Sequence, residues 1–192
     1  MTETLLSRTP RDQLPEALGQ AWDTLNRLTG EPAFIEAFAS APEVLNLVMN
    51  EFYAKIFFGG RVENRYKQLA RLYLSLNHGC RTCNLQNVPG ALEAGVTRAQ
   101  IDHLLEFETG PFTDAERAVL RFAHQMLLTN PAGELTPELY EALSAHFSDA
   151  EICELGACMA MVGGFAKLSF VLGLVEKESY CEFGSRRTAD SA

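Results

Sequence analysis

Apolar residues recur at steps of three and four along the N-terminal part of this chain, which is the period of a helix that buries one face. Three such runs end at glycine, the first at Gly30, the second at Gly59 and the third at Gly79. A glycine after the last apolar position is typical of a helix that ends in the left-handed conformation. The runs predict a helix over residues 15–29 and then a helical hairpin. Their apolar positions are Leu14, Leu18, Trp22, Leu25 and Leu28, then Leu45, Val48, Met49, Phe52 and Ile56, then Tyr66, Leu69, Leu72, Tyr73 and Leu76.

Helix starts in the C-terminal part are marked by capping signals. Three pairs place a hydroxyl residue three positions before Glu or Gln, so that each side chain can bind the other's free backbone N–H group. Thr136 followed by Pro137 marks a fourth start, because proline is tolerated in the first turn of a helix. No segment alternates with the two-residue period of a strand, so the chain is predicted to be all-α. The capping pairs are Thr97 with Gln100, Thr113 with Glu116, and Ser148 with Glu151.

These signals predict a single-domain bundle of eight or nine helices over residues 1–183, with a disordered tail at 184–192. The length of 192 residues and the apolar content of 47% suffice for one core. The run from Ile152 to Val175 approaches the length of a membrane-spanning helix. Glu154 and Lys167 would each cost about 2.5–3.5 kcal/mol at the centre of a membrane, so we expect a buried helix and no membrane partner.

Charge and composition narrow the range of partners and compartments. The formal net charge of -9 argues against binding to nucleic acid or to an anionic membrane surface, which needs clustered Lys and Arg. Residues 1–14 are polar and do not resemble a secretory signal, so a cytoplasmic protein is expected. Five cysteines, an odd number, favour thiols that are kept reduced between turnovers over a framework of structural disulfides.

The most informative chemical feature is the CxxC pair formed by Cys80 and Cys83. Gly79 is expected to end one helix, which places Cys80 at the start of the next, where free N–H groups and the helix dipole favour a thiolate. A thiol with a pKa near 8.5 is only about 3% ionised at pH 7, and a fall of roughly two units makes it mostly thiolate. Cys83 lies one turn further on, within disulfide reach. The spacing therefore predicts a redox pair, to which His78 and Arg81 can add.

Two other interpretations of the cysteine pair remain open. A CxxC can be half of a zinc site, but four ligands are needed and the chain has no second CxxC. The two cysteines could also simply pack, since cysteine is often buried as a small apolar residue. Packing is the prediction for Cys153 and Cys158, on an apolar helical stretch. No metal or cofactor motif is recognisable, so none is predicted.

The residues around the cysteine pair resemble those of the alkylhydroperoxidase D and carboxymuconolactone decarboxylase family, in its longer peroxidase-related branch. The resemblance is carried by the run from Gln68 to Cys83, by Ala94-Gly95-Val96-Thr97 and by Gln100-Ile101-Asp102. It is strongest over about residues 45–105. It implies an all-α fold, a homo-oligomer (dimer, trimer or hexamer), a small-molecule peroxide as substrate, and recycling by a thiol or dihydrolipoyl donor.

The chain departs from the peroxidase pattern of this family at three positions. Where the pattern has a glutamate and two histidines, the sequence has Gln68, Thr82 and Asn87. Amides and hydroxyls can hydrogen-bond but cannot act as ordinary bases near neutral pH, so the usual proton relay is absent. His78 is the one histidine near the motif that could substitute. In addition, Pro89 is expected to shorten or kink the second helix near Leu85.

The leading hypothesis is therefore a thiol-dependent peroxidase or disulfide oxidoreductase with an atypical proton relay. The resemblance implies that Cys83 attacks the peroxide and Cys80 resolves the product, while Gln68, His78 and Asn87 shape the site. One alternative is a lactone-processing enzyme like the decarboxylase branch. The other is an oligomeric redox-sensing or binding protein that has lost activity along with the relay residues.

Overall fold

The computed structural model describes residues 4–178, and this part of the chain is all-α, with nine α-helices and no strands. The fold class predicted from the sequence is thus confirmed, whereas the predicted tail at 184–192 lies outside the described residues. The α-helices are α1 (Glu16–Thr29), α2 (Ala33–Phe38), α3 (Pro42–Asn46), α4 (Asn64–His78), α5 (Arg81–Glu93), α6 (Arg98–Asp102), α7 (Asp114–Gln125), α8 (Pro137–Ser144) and α9 (Asp149–Val171). A π-helix (Leu47–Phe58) and two short 3-10 turns (Arg11–Gln13, Leu104–Glu106) complete the described part of the chain.

The helix ends follow the glycine and capping signals in the sequence. Helices α1 and α4 end at Gly30 and Gly79, whose φ angles of 71° and 62° lie in the left-handed region that glycine adopts without strain. All three predicted capping boxes are formed, at the starts of α6, α7 and α9. The Thr136 hydroxyl accepts the backbone N–H of Leu139 at the start of α8. Local chemistry therefore accounts for these six helix boundaries.

Helix α4 lies at the centre of the bundle and packs against α5, α7 and α9. Every residue from 67 to 75 is buried, so this helix has no solvent-facing side over that stretch. Its apolar residues join the main core, in which Leu69, Leu72 and Leu74 are almost completely buried. The polar side chains on the same stretch must consequently find partners, or ligands, inside the protein.

Helix geometry differs from the prediction at two places. The run that ends at Gly59 is helical as predicted, but it is an α-helix only over α3 and continues as the π-helix, because apolar spacing does not distinguish hydrogen bonds to the fifth residue from bonds to the fourth. The predicted shortening of the helix at Pro89 is wrong, since α5 continues to Glu93. The proline removes one N–H donor, but α5 is packed against α4.

Helix α9 buries one face of an apolar sequence. It is the one described helix that is long and apolar enough to cross a membrane, and 33% of its most apolar window is buried. Ile152, Leu155 and Cys158 lie in the protein interior, whereas Cys153 is exposed, so the prediction of core packing is wrong for Cys153. The Glu154 carboxylate lies 2.6 Å from the buried Lys67 ammonium. A buried ion pair of this kind is typical of a core helix in a folded bundle.

Candidate active site

The two cysteines of the CxxC pair occupy the start of α5, as the sequence predicts. Cys80 is the N-cap residue, and its sulfur accepts the backbone N–H of Cys83 at 3.3 Å. The two residues are joined by a disulfide, with Cα atoms 5.2 Å apart. Free N–H groups and the positive end of the helix dipole stabilise negative charge at such a position. A thiolate released from this disulfide is therefore favoured on Cys80.

The two sulfur positions differ in access. Cys80 is completely buried, and residues 176–178, which we call the strap, run antiparallel beside it. The strap is held by two backbone hydrogen bonds, from Arg81 to the Glu176 carbonyl at 3.2 Å and from Glu178 to the Gly79 carbonyl at 2.8 Å. Cys83 is only half-buried and lines a cavity. A molecule that enters the cavity therefore meets Cys83 and not Cys80.

The cavity has a volume of about 500 Å³ and mostly apolar walls. This size and this character are typical of small-molecule sites. Its walls come from α1, α2, the π-helix, α4, α5 and α9, so residues far apart in sequence converge on Cys83. The apolar lining includes Leu25, Leu28, Phe34, Ile35, Val48, Met49, Leu74, Val162 and Phe165, and the polar lining includes Glu31, Tyr53, Arg71, Ser75, His78, Thr82, Gln86 and Asn87.

His78 lines the cavity as a neutral ring. Burial, with a smaller contribution from the charge of Lys167, lowers the pKa of His78 to about 4. Its Nε2 atom accepts the backbone N–H of Leu128 at 3.2 Å, which assigns the ring proton to Nδ1. In this tautomer the ring can donate a hydrogen bond from Nδ1. The lone pair that a general base would use is already bonded to Leu128.

The other predicted site residues lie at different depths. Asn87 is buried on α5 and lines the cavity. Gln68 is buried on α4, and its Oε1 atom accepts a hydrogen bond from Arg71 at 2.5 Å. It is not among the lining residues, so it contacts the cavity through Arg71. Thr82, which stands where the family pattern has a histidine, is buried, and its hydroxyl has no hydrogen-bond partner among the described residues.

Glu31 lines the cavity but was not predicted from the sequence. Burial raises the pKa of its carboxyl group; Glu176 raises it further, while a backbone hydrogen bond and Arg81 lower it. Glu31 lies 4.0 Å from Arg81, and its Oε2 atom is buried without a hydrogen-bond partner in the described structure. It is the one carboxyl group among the described lining residues. Nothing in the local sequence after Gly30 signals this role.

Metal binding finds no support in the part of the chain that the structure describes. Within residues 4–178, no group of three or more His, Cys, Asp or Glu side chains could hold a metal ion. Cys158 is buried, and burial raises the pKa of its thiol to about 11, which leaves it protonated at neutral pH. The groups that the cavity does present are Cys83 and the polar side chains around it.

Comparison with known proteins gives a family and a fold. Residues 42–125, which include the CxxC pair, match the model of the carboxymuconolactone decarboxylase family. Among curated proteins, no sequence matches significantly. Among solved structures, the debrominase Bmp8 in its apo form is similar, with a TM-score of 0.72, 20% identity, and coverage of 93% of this chain and 95% of that chain. Bmp8 has also been solved as a cysteine-to-alanine variant in complex with 2,3,4-tribromopyrrole.

Two further structures have the same fold. An uncharacterised peroxidase-related protein from Ralstonia eutropha JMP134, with an alkylhydroperoxidase AhpD core, gives a TM-score of 0.68 at 17% identity over 92% of this chain and 95% of that chain. A protein of unknown function from Agrobacterium tumefaciens, described as a putative antioxidant defence protein AhpD, gives a TM-score of 0.62 at 23% identity. The match covers 71% of this chain and 92% of that chain. The sequence match over residues 42–125 and the shared fold agree with the resemblance in the residues to AhpD-like proteins of the carboxymuconolactone decarboxylase family.

Proposed function

We propose that this protein is a thiol-dependent peroxidase that reduces hydroperoxides with the Cys80 and Cys83 pair. The observation that carries the proposal is the asymmetry of the disulfide, whose half-buried sulfur, on Cys83, lines an apolar cavity while the buried one, on Cys80, caps α5. Peroxide reduction needs one thiolate that the substrate can reach and a second that can form a disulfide with the product. The family is peroxidase-related at a coarse level, which is consistent with this assignment.

The proposed reaction is a two-electron oxidation of the dithiol. The Cys83 thiolate attacks one peroxide oxygen, the O–O bond breaks, the alcohol leaves with a proton, and Cys83 becomes a sulfenic acid. The Cys80 thiolate then attacks the Cys83 sulfur, which forms the disulfide and expels hydroxide, and this takes up a proton to become water. One thiol of a dithiol donor attacks the accessible Cys83 sulfur, and Cys80 leaves as a thiolate whose sulfur accepts the N–H of Cys83. The second donor thiol then breaks the mixed disulfide, which releases Cys83 and the oxidised donor.

The proton that leaves the attacking thiol needs an acceptor other than the missing family relay. His78 is neutral, and the lone pair on its Nε2 atom already accepts the backbone N–H of Leu128. In this proposal the ring therefore serves as a hydrogen-bond donor. We assign this role to Glu31, the one carboxyl group among the described lining residues, whose pKa burial raises above its ordinary value. Gln68 and Asn87 then position polar groups and do not titrate.

The test is hydroperoxide consumption by the reduced protein with dihydrolipoamide as electron donor, for Cys80→Ser, Cys83→Ser and the control Cys153→Ser. Cys83→Ser is expected to lose turnover completely. Without the donor, pre-reduced Cys80→Ser should consume one equivalent of hydroperoxide and stop, with a sulfenic acid on Cys83 that dimedone traps. Cys153 is exposed and lies outside the cavity lining, so Cys153→Ser should match the wild type. Full turnover in both Cys80→Ser and Cys83→Ser would exclude the proposal.

Reductive debromination is a second candidate. It is favoured by the aromatic walls of the cavity, which include Phe34 and Phe165, together with the shared fold of the debrominase Bmp8. The same dithiol would supply the two electrons: Cys83 takes bromine from carbon, a proton replaces it, and Cys80 displaces bromide as the disulfide forms. Bromide release from a brominated pyrrole, without hydroperoxide consumption, would favour this function over the first.

A further inference from the structure

We propose that Arg71 forms an anion subsite in the cavity, so that the preferred substrate is an organic hydroperoxide with a carboxylate at the far end of an apolar chain. This inference rests on the peroxidase function proposed above and adds the class of substrate. It starts from one side chain that the redox chemistry does not use.

Arg71 is a buried cation without a buried anion. Its residue exposure is 7%, and no carboxylate in residues 4–178 lies within ion-pair distance of its guanidinium. Its contacts are neutral: it donates a hydrogen bond to Gln68 Oε1 at 2.5 Å, lies over the face of the Phe57 ring at 4.8 Å, and has the Tyr53 hydroxyl nearby. The Nε atom is buried and has no hydrogen-bond partner among the described residues. No described group therefore matches the charge of the guanidinium.

An arrangement of this kind is costly unless a ligand completes it. Arginine stays protonated in proteins and presents five N–H donors in a planar fork that matches a carboxylate. A buried charge without a counter-ion costs several kcal/mol, which a bound carboxylate would offset by a paired hydrogen bond. Arg71 lines the cavity, so an anion inside the cavity can reach it. The chain provides no acid of its own for this position among the described residues.

The charges of the other groups around the cavity favour Arg71 as the site where an anion binds. Glu31 is near Arg81 and Glu176, at the end of the cavity where the strap meets the cysteine pair. His78 is neutral. Arg71 is therefore the one cation among the described lining residues, and a carboxylate is drawn to it and repelled from the Glu31 end.

The spacing between Arg71 and Cys83 sets the length of the substrate. Arg71 Nη2 lies 3.1 Å from where a Cβ on Gly90 would be, so the guanidinium rests against α5 at Gly90. Gly90 follows Cys83 by seven residues on the same helix, which corresponds to about 10 Å along its axis. An extended chain of roughly eight carbons, with C–C bonds of about 1.5 Å, covers that distance. The apolar walls in between would contact this chain.

The first experiment measures binding, which does not depend on turnover. Isothermal titration calorimetry compares decanoate with decan-1-ol, which has the same chain and no charge, on the oxidised protein. We expect wild type to bind decanoate at least tenfold more tightly than decan-1-ol. Arg71→Met should lose this preference and Arg71→Lys should keep part of it. Arg98→Met, which removes an exposed arginine outside the cavity lining, should keep it in full.

The second experiment measures turnover of the 9-hydroperoxide of linoleic acid and of its methyl ester. The ratio of their kcat/KM values is expected to be at least ten in wild type and near one in Arg71→Met. Equal binding of decanoate and decan-1-ol by wild type overturns the subsite, and this arm needs no variant to fold. Turnover of both hydroperoxides with a ratio near one also overturns it. Arg71-dependent decanoate binding without any hydroperoxide turnover supports the anion subsite and rejects the peroxidase function.

Discussion

Lys67 and Arg71 lie one turn apart on α4, both are buried, and their surroundings are opposite. The Lys67 ammonium is 2.6 Å from Glu154 and 2.6 Å from the Ile56 carbonyl, so its charge is matched inside the protein. Glu154 in turn accepts the backbone N–H groups of Arg61 and Val62. Arg71 has only neutral partners and faces the cavity. A fully partnered buried charge indicates a structural role, whereas an unpartnered one next to a cavity indicates a ligand.

The comparison also separates two halves of the same helix. The N-terminal half of α4 joins α9 and the loop after the π-helix through Lys67 and Glu154. The C-terminal half faces the cavity with Arg71, Ser75 and His78. Substitutions in the first half should therefore change stability, and substitutions in the second half should change binding and chemistry.

Glu154→Gln is expected to lower the free energy of unfolding by about 3–5 kcal/mol, because it leaves the Lys67 ammonium buried without a counter-ion. Urea denaturation at pH 7 measures the loss. The double variant Lys67→Met with Glu154→Gln should recover most of it, since removing both charges also removes the cost of burying one alone. A double variant no more stable than Glu154→Gln would contradict the structural role of the pair.

His78 is expected to make stability depend on pH. The pKa of His78 in the folded protein is about 4, below the ordinary 6.5, so the unfolded chain binds more protons between these values. The contribution of His78 to the free energy of unfolding is present above pH 6.5 and is lost as the pH falls toward 4. The full loss is about 3 kcal/mol. Urea denaturation of wild type and His78→Gln from pH 7 to pH 4 measures it. The stability gap between the two should change across this window, and a constant gap would refute the assignment.

Arg71→Met is expected to change the free energy of unfolding by less than about 1.5 kcal/mol, because an apolar side chain of similar length replaces a charge that has no counter-ion to lose. Lys67→Met is the matched substitution one turn earlier. It should destabilise the protein much more, since it removes the counter-ion of the Glu154 carboxylate. Thermal and urea denaturation of the two variants make the comparison. Equal losses in the free energy of unfolding would show that Arg71 stabilises the fold as much as Lys67 does.

Glu51→Gln is expected to change the free energy of unfolding by at most about 0.5 kcal/mol. The Lys55 ammonium lies 2.7 Å from Glu51, almost the distance found for Lys67 and Glu154, but both side chains are exposed on the π-helix. Solvent screens an exposed pair, so distance alone does not measure its contribution. Denaturation should give a small difference at low salt and a still smaller one at 1 M NaCl. A loss comparable to that of Glu154→Gln would invalidate burial as the deciding variable.

The sequence allowed the prediction of features that depend on neighbours in the chain. The end of α4 at Gly79 and the capping of α5 by Cys80 follow from a glycine and a helix start a few residues apart. The strap could not be predicted, because it brings Glu176 back beside Arg81 from 95 residues away. Glu31 was missed for the same reason. Gln68 was predicted as a site residue from its position in the family pattern, but only the structure shows that it contacts the cavity through Arg71.

The strap allows the timing of the redox cycle to be measured. The amide hydrogens of Arg81 and Glu178 are both held in its backbone bonds, so their exchange with deuterium reports how often this short pairing separates. A reductant that attacks Cys83 is independent of that frequency. A reductant that attacks Cys80, which is completely buried beside the strap, cannot act faster than the strap opens. Comparing the two rates shows from which side electrons enter the protein.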